Sequence, residues 1–243
     1  MPELDSAVAS YRGLGFTVVP GGRHPTGTHN ALIAFSDGAY LELIAFYEPN
    51  AQHRWFQRLQ QGGGLIDYCL QTDDLAADVR GFRAAGVAIA DPRPLTRVRP
   101  DGYKLSWVLS IPEKHGGVAP FLIEDETPRS ERVPQATQHA NGTTGVRSVT
   151  IAALDVDDMG RWYERASVAT VTSVERPDLA ASGLRVTIGT HALDFVAPHG
   201  ADGPLTGWLA SRGPSCYAAT LGTTGTKGPL PLDRALAARL SLG

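Results

Sequence analysis

Residues 21–44 read GGRHPTGTHNALIAFSDGAYLELI, a glycine-rich polar loop followed by two apolar runs that flank a Ser-Asp-Gly turn. Asp-Gly between two such runs is a strong local signal for a β-hairpin. Successive side chains of a strand alternate between its faces, so Tyr40, Glu42 and Ile44 share one face. Glu42 is the acidic exception in an apolar run, and a half-buried carboxylate is costly unless it is paired or bound. Glu42 is therefore the first candidate for a functional side chain.

The register of this hairpin decides which polar side chain joins Glu42. With a two-residue Asp37-Gly38 turn, Ile33 lies opposite Glu42 and the odd-numbered His29 shares its face. With a three-residue turn at 36–38, Leu32 lies opposite Glu42 and Asn30 takes that face instead. The sequence leaves both registers open.

The composition is that of a globular protein with no strong electrostatic preference for a partner. The 243 residues are 42% hydrophobic and 19% charged, with a formal net charge of -3. The basic residues are scattered, which argues against nucleic-acid binding. No apolar run reaches the ~18 residues that a membrane helix needs, so we expect no membrane segment and a cytoplasmic location. The two cysteines have no metal-ligand spacing.

An order of strand, helix and three strands recurs along the chain. In its second occurrence the pattern predicts a strand over 65–72, a helix ending near residue 85, and strands over 87–90, 103–111 and 118–124. A polar, turn-rich stretch follows, and the pattern restarts at residue 146. A repeat this long is typical of a pseudo-symmetric domain built from paired modules.

This order, together with GGRHP, GTHN, DGAYLEL and PFLIED at residues 120–125, resembles the glyoxalase-like proteins of the vicinal oxygen chelate superfamily. The resemblance implies an α+β fold in which paired βαβββ modules form cupped mixed sheets. It also implies a module pair over 1–130, a linker at 131–143 and a second, diverged or incomplete pair over 144–243. The first strand of the first module is missing. Either the chain is internal to a longer protein, or a strand from elsewhere, such as the C-terminal tail, fills the gap.

The resemblance also implies a site inside the first cup, where superfamily members that bind a divalent metal hold it on the first and last strands of each module. Applied to this sequence, the family pattern implies that Glu42, Asp67 and Glu124 are metal ligands and that Glu42 and His29 are catalytic residues. The usual histidine of the first module has no counterpart. Such carboxylates suit Mn²⁺, Zn²⁺, Fe²⁺ or Mg²⁺, and a protein without metal is equally compatible with the sequence.

Two classes of function therefore stand side by side. The first is a divalent-metal-dependent enzyme of lyase, isomerase or dioxygenase type that acts on a small oxygenated molecule. The alternative is a metal-free protein that binds or sequesters a small molecule. In either case Asn30, His24, Trp107 and Tyr40 are the candidate substrate-binding residues. A homodimer is a further possibility, because a missing edge strand exposes a sheet edge.

Overall fold

Two seven-stranded sheets organise the chain. The computed structural model describes residues 3–99, 101–113, 117–166 and 169–243. It confirms the α+β class and the paired modules with cupped mixed sheets. In the described part of the chain, no helix is both long and apolar enough to cross a membrane.

The first sheet uses strands from the first half of the chain, and its order is β3-β2-β1-β5-β6-β7-β4. Its strands are β1 Val19–Arg23, β2 Thr28–Ala34, β3 Tyr40–Phe46, β4 Cys69–Gln71, β5 Arg93–Val98, β6 Lys104–Ser110 and β7 Phe121–Asp125. The accompanying helices are α1 Leu4–Gly13, α2 Phe56–Gln60, α3 Leu75–Ala84 and α4 Arg129–Arg132. The first two modules meet where Arg23 of β1 pairs with Val98 of β5.

The second sheet has the order β13-β14-β12-β8-β11-β10-β9. Its strands are β8 Thr143–Ala152, β9 Thr170–Arg176, β10 Ala181–Ile188, β11 His191–Pro198, β12 Ser215–Thr223, β13 Gly228–Pro229 and β14 Leu240–Leu242. Its helices are α5 Val156–Ala166 and α6 Pro204–Arg212, with a 3-10 turn at Pro177–Leu179.

The internal repeat explains the topology of both sheets. In the second module β4 pairs in parallel with β7, and in the third module β8 pairs in parallel with β11. The first module contains α1 and β1–β3 but, in the described residues, no equivalent strand beside β3. The predicted absence of its first strand is thus confirmed. The C-terminal tail does not fill the gap, because β14 pairs with β12 in the second sheet.

One strand lies elsewhere than the sequence pattern predicts. The second module continues not at 87–90 but at β5, in the stretch that reads as a proline-rich connector. Residues 87–90 contribute only an isolated bridge between Ile89 and Pro112. Pro94 is tolerated within β5 because β1 reaches this strand only at Val98, which leaves Pro94 with a single neighbouring strand.

Each of the two largest hydrophobic cores draws on both sheets. Helices α3 and α5 pack against each other in one core, and α1 packs with the hairpin strands, β12 and β14 in the other. The stretch at 131–143 is anchored as well. His139 Nδ1 accepts a hydrogen bond from Thr17 N at 3.0 Å, and Asn141 Nδ2 donates to Leu14 O at 3.0 Å. The division into domains at 131–143 stays a prediction.

Candidate functional site

A cavity of about 700 Å³ lies on the face of the first sheet opposite α3. The alternation of β7 shows which face this is. Leu122 packs in the core around α3, whereas Phe121 and Ile123 line the cavity. The cavity is lined by loop, strand and turn residues that are distant in sequence, among them His24, Asn30, Tyr40, Glu42, His53, Arg54, Arg97, Trp107 and Arg132. We call this cavity the cup.

The hairpin adopts the register of the three-residue turn. Leu32 lies opposite Glu42, and Phe35 N donates to Ala39 O across Ser36-Asp37-Gly38. Asn30 therefore faces the cup, where its Nδ2 donates to Glu42 Oε1 at 2.6 Å. His29 points to the other face of the sheet, and its ring lies edge-on to Tyr47. The structure thus separates the two residues expected to act together in catalysis.

Asn30 links Glu42 to a buried arginine. Arg97 Nη1 donates to Asn30 Oδ1 at 2.7 Å, and the residue is only 4% exposed. Gly21 makes room for this arrangement, because a Cβ there would lie 2.0 Å from Asn30 Oδ1 and 2.5 Å from Arg97 Nη1. Among the described residues, Arg97 Nε has no hydrogen-bond partner, and none donates to the second oxygen of Glu42. Beside the cup, a buried donor and one carboxylate oxygen are therefore left without a protein partner.

The three carboxylates expected to share a metal do not meet. Asp67 pairs with Arg54 and accepts a hydrogen bond from Trp55 Nε1 at 2.8 Å. Burial raises the pKa of Asp67, and the Arg54 guanidinium opposes that shift. Glu124 lies on the outer face of β7, where Oε2 accepts from Leu75 N at 2.9 Å at the start of α3. Within the described residues, no three His, Cys, Asp or Glu side chains form a metal-binding group.

Tyr40 and Arg132 form one wall of the cup. Arg132 Nη1 donates to the Tyr40 hydroxyl at 2.8 Å, and the guanidinium is held by Asp125 through Nε and, at 2.8 Å, through Nη2. Burial raises the pKa of Tyr40 to about 12. The phenol is therefore neutral at physiological pH and is fixed in position by the arginine.

His24 and Trp107 form a second wall. The two rings lie edge-on with centroids 6.2 Å apart, and His24 Nδ1 lies 2.9 Å from Thr28 Oγ1. Burial lowers the pKa of His24, an effect that Glu42 opposes and Arg97 supports. His24 is therefore neutral near pH 7, and the wall presents one aromatic and one uncharged imidazole surface.

Sequence reasoning missed His53, Trp55 and Arg97, besides Arg54, Phe121 and Arg132, as residues that line the cup. The pattern predicts a surface helix that contains His53 and Trp55, but α2 begins at Phe56 and leaves both in the preceding turn, where they line the cup. The third is Arg97. Its position would have emerged from the alternation of β5, had the strand been placed at 93–98 rather than at 87–90.

Comparisons with known proteins agree on the fold. A family model described as a glyoxalase-like domain matches residues 1–167. A hypothetical protein from Staphylococcus aureus, 15% identical, aligns over 96% of this chain and 92% of its own, with a TM-score of 0.69. A mutant of 4-hydroxymandelate synthase from Streptomyces coelicolor, 15% identical, aligns over 90% of this chain and 66% of its own, with a TM-score of 0.61. At these identities the likeness shows the fold alone. No curated protein sequence matches the chain.

The fold and the family model lead to the same assignment. The match at residues 1–167 spans more than half of the chain and includes the deciding hairpin. The second and third modules show the complete βαβββ order, and in the described residues the first module lacks only its first strand. The chain therefore belongs to the glyoxalase-like family, within the vicinal oxygen chelate superfamily.

Proposed function

We propose that the cup binds one small oxygenated molecule with an apolar or aromatic body, and that it does so without a resident metal ion. The observation that carries this proposal is the hydrogen-bonded series Arg97–Asn30–Glu42 beside the cavity. It leaves the buried Nε–H of Arg97 and one carboxylate oxygen of Glu42 without a protein partner. Buried polar groups in native proteins nearly always have partners, so the unpartnered Nε of Arg97 suggests that a ligand completes this group. A ligand carbonyl or carboxylate accepts from the Arg97 guanidinium, and a ligand hydroxyl donates to the second oxygen of Glu42.

The remainder of the cup supports the same class of ligand. Trp107 and Phe121 line it with aromatic surface, and Tyr40 and His24 are both uncharged near pH 7. A volume of about 700 Å³ is within the range of small-molecule sites. Among the charged residues that line it, Arg54 pairs with Asp67, Arg132 pairs with Asp125, and Arg93 and Glu113 are exposed to solvent. Glu42 and Arg97 are therefore the charged groups we assign to specificity.

Metal-dependent catalysis is the second candidate, and the observation in its favour is that Glu42 lies inside the cup on the last strand of its module. The other residues do not fit a resident divalent ion. Asp67 and Glu124 are engaged elsewhere, and the guanidinium of Arg97 bonds to the same Asn30 amide as Glu42. A cation beside Glu42 would be repelled by this arginine. We derive no catalytic step through a metal.

A set of matched aromatic ligands tests the binding proposal. 3-Hydroxybenzoate carries a hydroxyl and a carboxylate that cannot bond to each other, whereas benzoate and phenol each lack one of the two groups. We expect 3-hydroxybenzoate to bind about tenfold tighter than either, because each lost hydrogen bond to a charged group costs ~1.5 kcal/mol. Titration calorimetry measures this affinity, as does the intrinsic tryptophan fluorescence, since Trp55 and Trp107 both line the cup. Equal affinities for all three ligands would contradict the proposal.

Two substitutions assign the roles within the cup. Arg97→Met should weaken the binding of 3-hydroxybenzoate and benzoate but not of phenol, and Glu42→Gln should weaken the binding of 3-hydroxybenzoate and phenol more than that of benzoate. Arg83→Met serves as the matched control, because Arg83 pairs with Asp91 outside the cup. Elemental analysis of wild type and Glu42→Ala after incubation with Mn²⁺, Zn²⁺ or Fe²⁺ tests the second candidate. Stoichiometric metal that disappears in Glu42→Ala would favour metal-dependent catalysis over the metal-free site.

A further inference from the structure

Arg54 lines the cup together with Arg97 and Arg132 but is held differently from both. Its side chain is 26% exposed, whereas the Arg132 side chain is 7% exposed and Arg97 is 4% exposed. All three nitrogens of the Arg132 guanidinium donate, Nε and Nη2 to Asp125 and Nη1 to the Tyr40 hydroxyl. Among these three arginines, Arg54 therefore offers the most accessible guanidinium to a ligand.

Three neighbours fix the position of this guanidinium. Its Nη1 forms an ion pair with the buried carboxylate of Asp67, which also accepts from Trp55 Nε1 at 2.8 Å. The Cζ atom of Arg54 lies 4.5 Å from the centroid of the Trp55 ring and 4.6 Å from that of the Phe121 ring. The two rings lie 6.2 Å apart, so the guanidinium occupies a corner between them. A side chain held in this way loses little conformational freedom when it binds a ligand.

The ion pair leaves one edge of the guanidinium unused. Nη1 bonds to Asp67, and within the described residues no acceptor bonds to Nε or Nη2. These two nitrogens form the edge with which other arginines of the protein hold a carboxylate. Arg185 donates through Nε and Nη2 to the two oxygens of Asp194, and Arg132 does the same to Asp125. Such paired bonds are the strong and geometrically specific mode of arginine–carboxylate recognition.

The charge of Arg54 is compensated only in part by the protein. Burial lowers the pKa of Arg54, and the carboxylates of Asp67 and Glu42 oppose this shift without outweighing it. Glu42 also raises the pKa of Arg97, so its charge acts on both guanidiniums from within the cup. An anionic group at the unused edge of Arg54 would complete the compensation.

From this geometry we infer that the ligand of the cup carries a second carboxylate, which Arg54 binds through Nε and Nη2. The first carboxylate accepts from Arg97, and the hydroxyl donates to Glu42. The inference rests on the proposed function and narrows the ligand to a hydroxylated dicarboxylic acid with an apolar or aromatic body. Arg54 is thus a specificity-determining residue in addition to Glu42 and Arg97.

Matched ligands measure the contact with Arg54. 5-Hydroxyisophthalate adds a second carboxylate to 3-hydroxybenzoate, and 3-hydroxy-5-(carboxymethyl)benzoate places that group one carbon farther away. 3-Hydroxy-5-methylbenzoate adds bulk without an acceptor. We expect at least one diacid to bind about tenfold tighter than 3-hydroxybenzoate in titration calorimetry, and the methyl compound to show no such gain. If neither diacid binds tighter than the methyl compound, the inference is overturned.

Two variants separate a specific contact from general attraction. Arg54→Met should abolish the gain of the diacid and leave the affinity for 3-hydroxybenzoate within about twofold of wild type. Arg93→Met is the control, because Arg93 also lines the cup but is exposed to solvent. Equal losses in the two variants would contradict the role of Arg54. Since Arg54→Met leaves Asp67 unpaired, a crystal structure of wild type with the diacid provides a second test. The added carboxylate should bond to Arg54 Nε or Nη2, and any other position overturns the inference.

The same titrations distinguish this inference from the proposed function. If 3-hydroxybenzoate binds tighter than benzoate and phenol but the diacids bring no gain, the inference about Arg54 fails and the proposed function stands. If 3-hydroxybenzoate binds no tighter than benzoate and phenol, the proposed function fails, and the inference fails with it.

Discussion

The first and third modules each carry an acidic residue at the equivalent position of the last strand, but the surroundings of the two residues differ. Glu42 lies on the last strand of the first module, and Asp194 lies on the last strand of the third, both on the face away from the module helix. Glu42 contacts a side-chain amide and borders an open cavity. Asp194 is 1% exposed and accepts two hydrogen bonds from Arg185, at 2.7 and 2.8 Å.

The difference comes from what covers each sheet. Helix α6 packs over β8, β11 and β12, where Leu205 and Trp208 join a core with Val196 and Tyr217. On the first sheet this face is bordered by short helices, with Phe56 of α2 against Phe46 and Arg132 of α4 in the lining of the cup, and a cavity remains between them. An acidic residue at the end of a module is thus a site residue only where the sheet is uncovered. In the covered sheet the same position becomes a buried ion pair.

The largest expected loss of stability comes from weakening the packing of α6 on the second sheet. Leu205 is fully buried, so Leu205→Ala should lower the free energy of unfolding by about 3 kcal/mol through lost burial and the cavity that is left. Urea denaturation measures this loss. Leu232→Ala is the control, because Leu232 is 44% exposed and should change stability by no more than about 0.5 kcal/mol. Equal costs at the two positions would refute the role assigned to α6.

A smaller effect is expected from the buried carboxylate of Asp194 on the same sheet. Removing one partner of a buried ion pair typically costs about 3–5 kcal/mol. Arg185 is 43% exposed and can regain water, so we expect Asp194→Asn to cost about 2 kcal/mol. The measurement is again urea denaturation, at pH 7 and in low and high salt. A loss below about 0.5 kcal/mol would show that Asp194 is no more structural than Glu42.

The free energy of unfolding should depend on pH through His139, which lies in the stretch at 131–143 between the two regions. His139 Nδ1 accepts from Thr17 N, and Nε2 lies 3.0 Å from Ala34 O, which requires the neutral ring with its proton on Nε2. Burial lowers the pKa of His139 below its ordinary 6.5, although the bond to Ala34 opposes the shift. The unfolded state thus binds the proton more readily. Stability from this group is complete above pH 6.5 and is lost as pH falls through the folded-state pKa.

Unfolding curves between pH 8 and pH 5 test this expectation. His139→Asn retains an amide near the Thr17 N–H but cannot titrate, so the decline in stability toward low pH should be shallower than in wild type. His199, which lies on the surface near Glu175, provides the control substitution His199→Asn. If both variants decline as steeply as wild type, His139 does not supply the pH dependence of the fold.

The smallest effect is expected at Glu42 itself. Gln at this position retains an oxygen that accepts from Asn30, so Glu42→Gln should change the free energy of unfolding by no more than about 0.5 kcal/mol. Chemical denaturation beside Asp194→Asn gives the comparison directly. A cost of 2 kcal/mol or more at Glu42 would mean that this carboxylate, like Asp194, is held for stability rather than kept for a ligand.

Part of the candidate site followed from the sequence. The apolar alternation around Glu42 and the Asp-Gly turn predicted the hairpin, and the repeated strand-helix pattern predicted the modules and the absent strand. The proposed metal ligands did not follow in the same way. Asp67 and Glu124 were inferred from the family pattern. The alternation of β7 directs Glu124 to the face away from the cup, and Asp67 forms an ion pair with Arg54. Strand spacing gives a residue's face only once the strand's bounds are known.

Local physics explains what the sequence by itself determined. Strand alternation, turn chemistry and helix caps act over a few residues, so the hairpin, the helices and the module order are encoded in short stretches. The tertiary structure alone decided the choice between Asn30 and His29, the arrival of Arg97 at Asn30 across 67 positions of sequence, and the burial of Asp194 beside Arg185 and Arg176. Those outcomes depend on a one-residue register and on which distant surfaces pack together, and no local pattern specifies either.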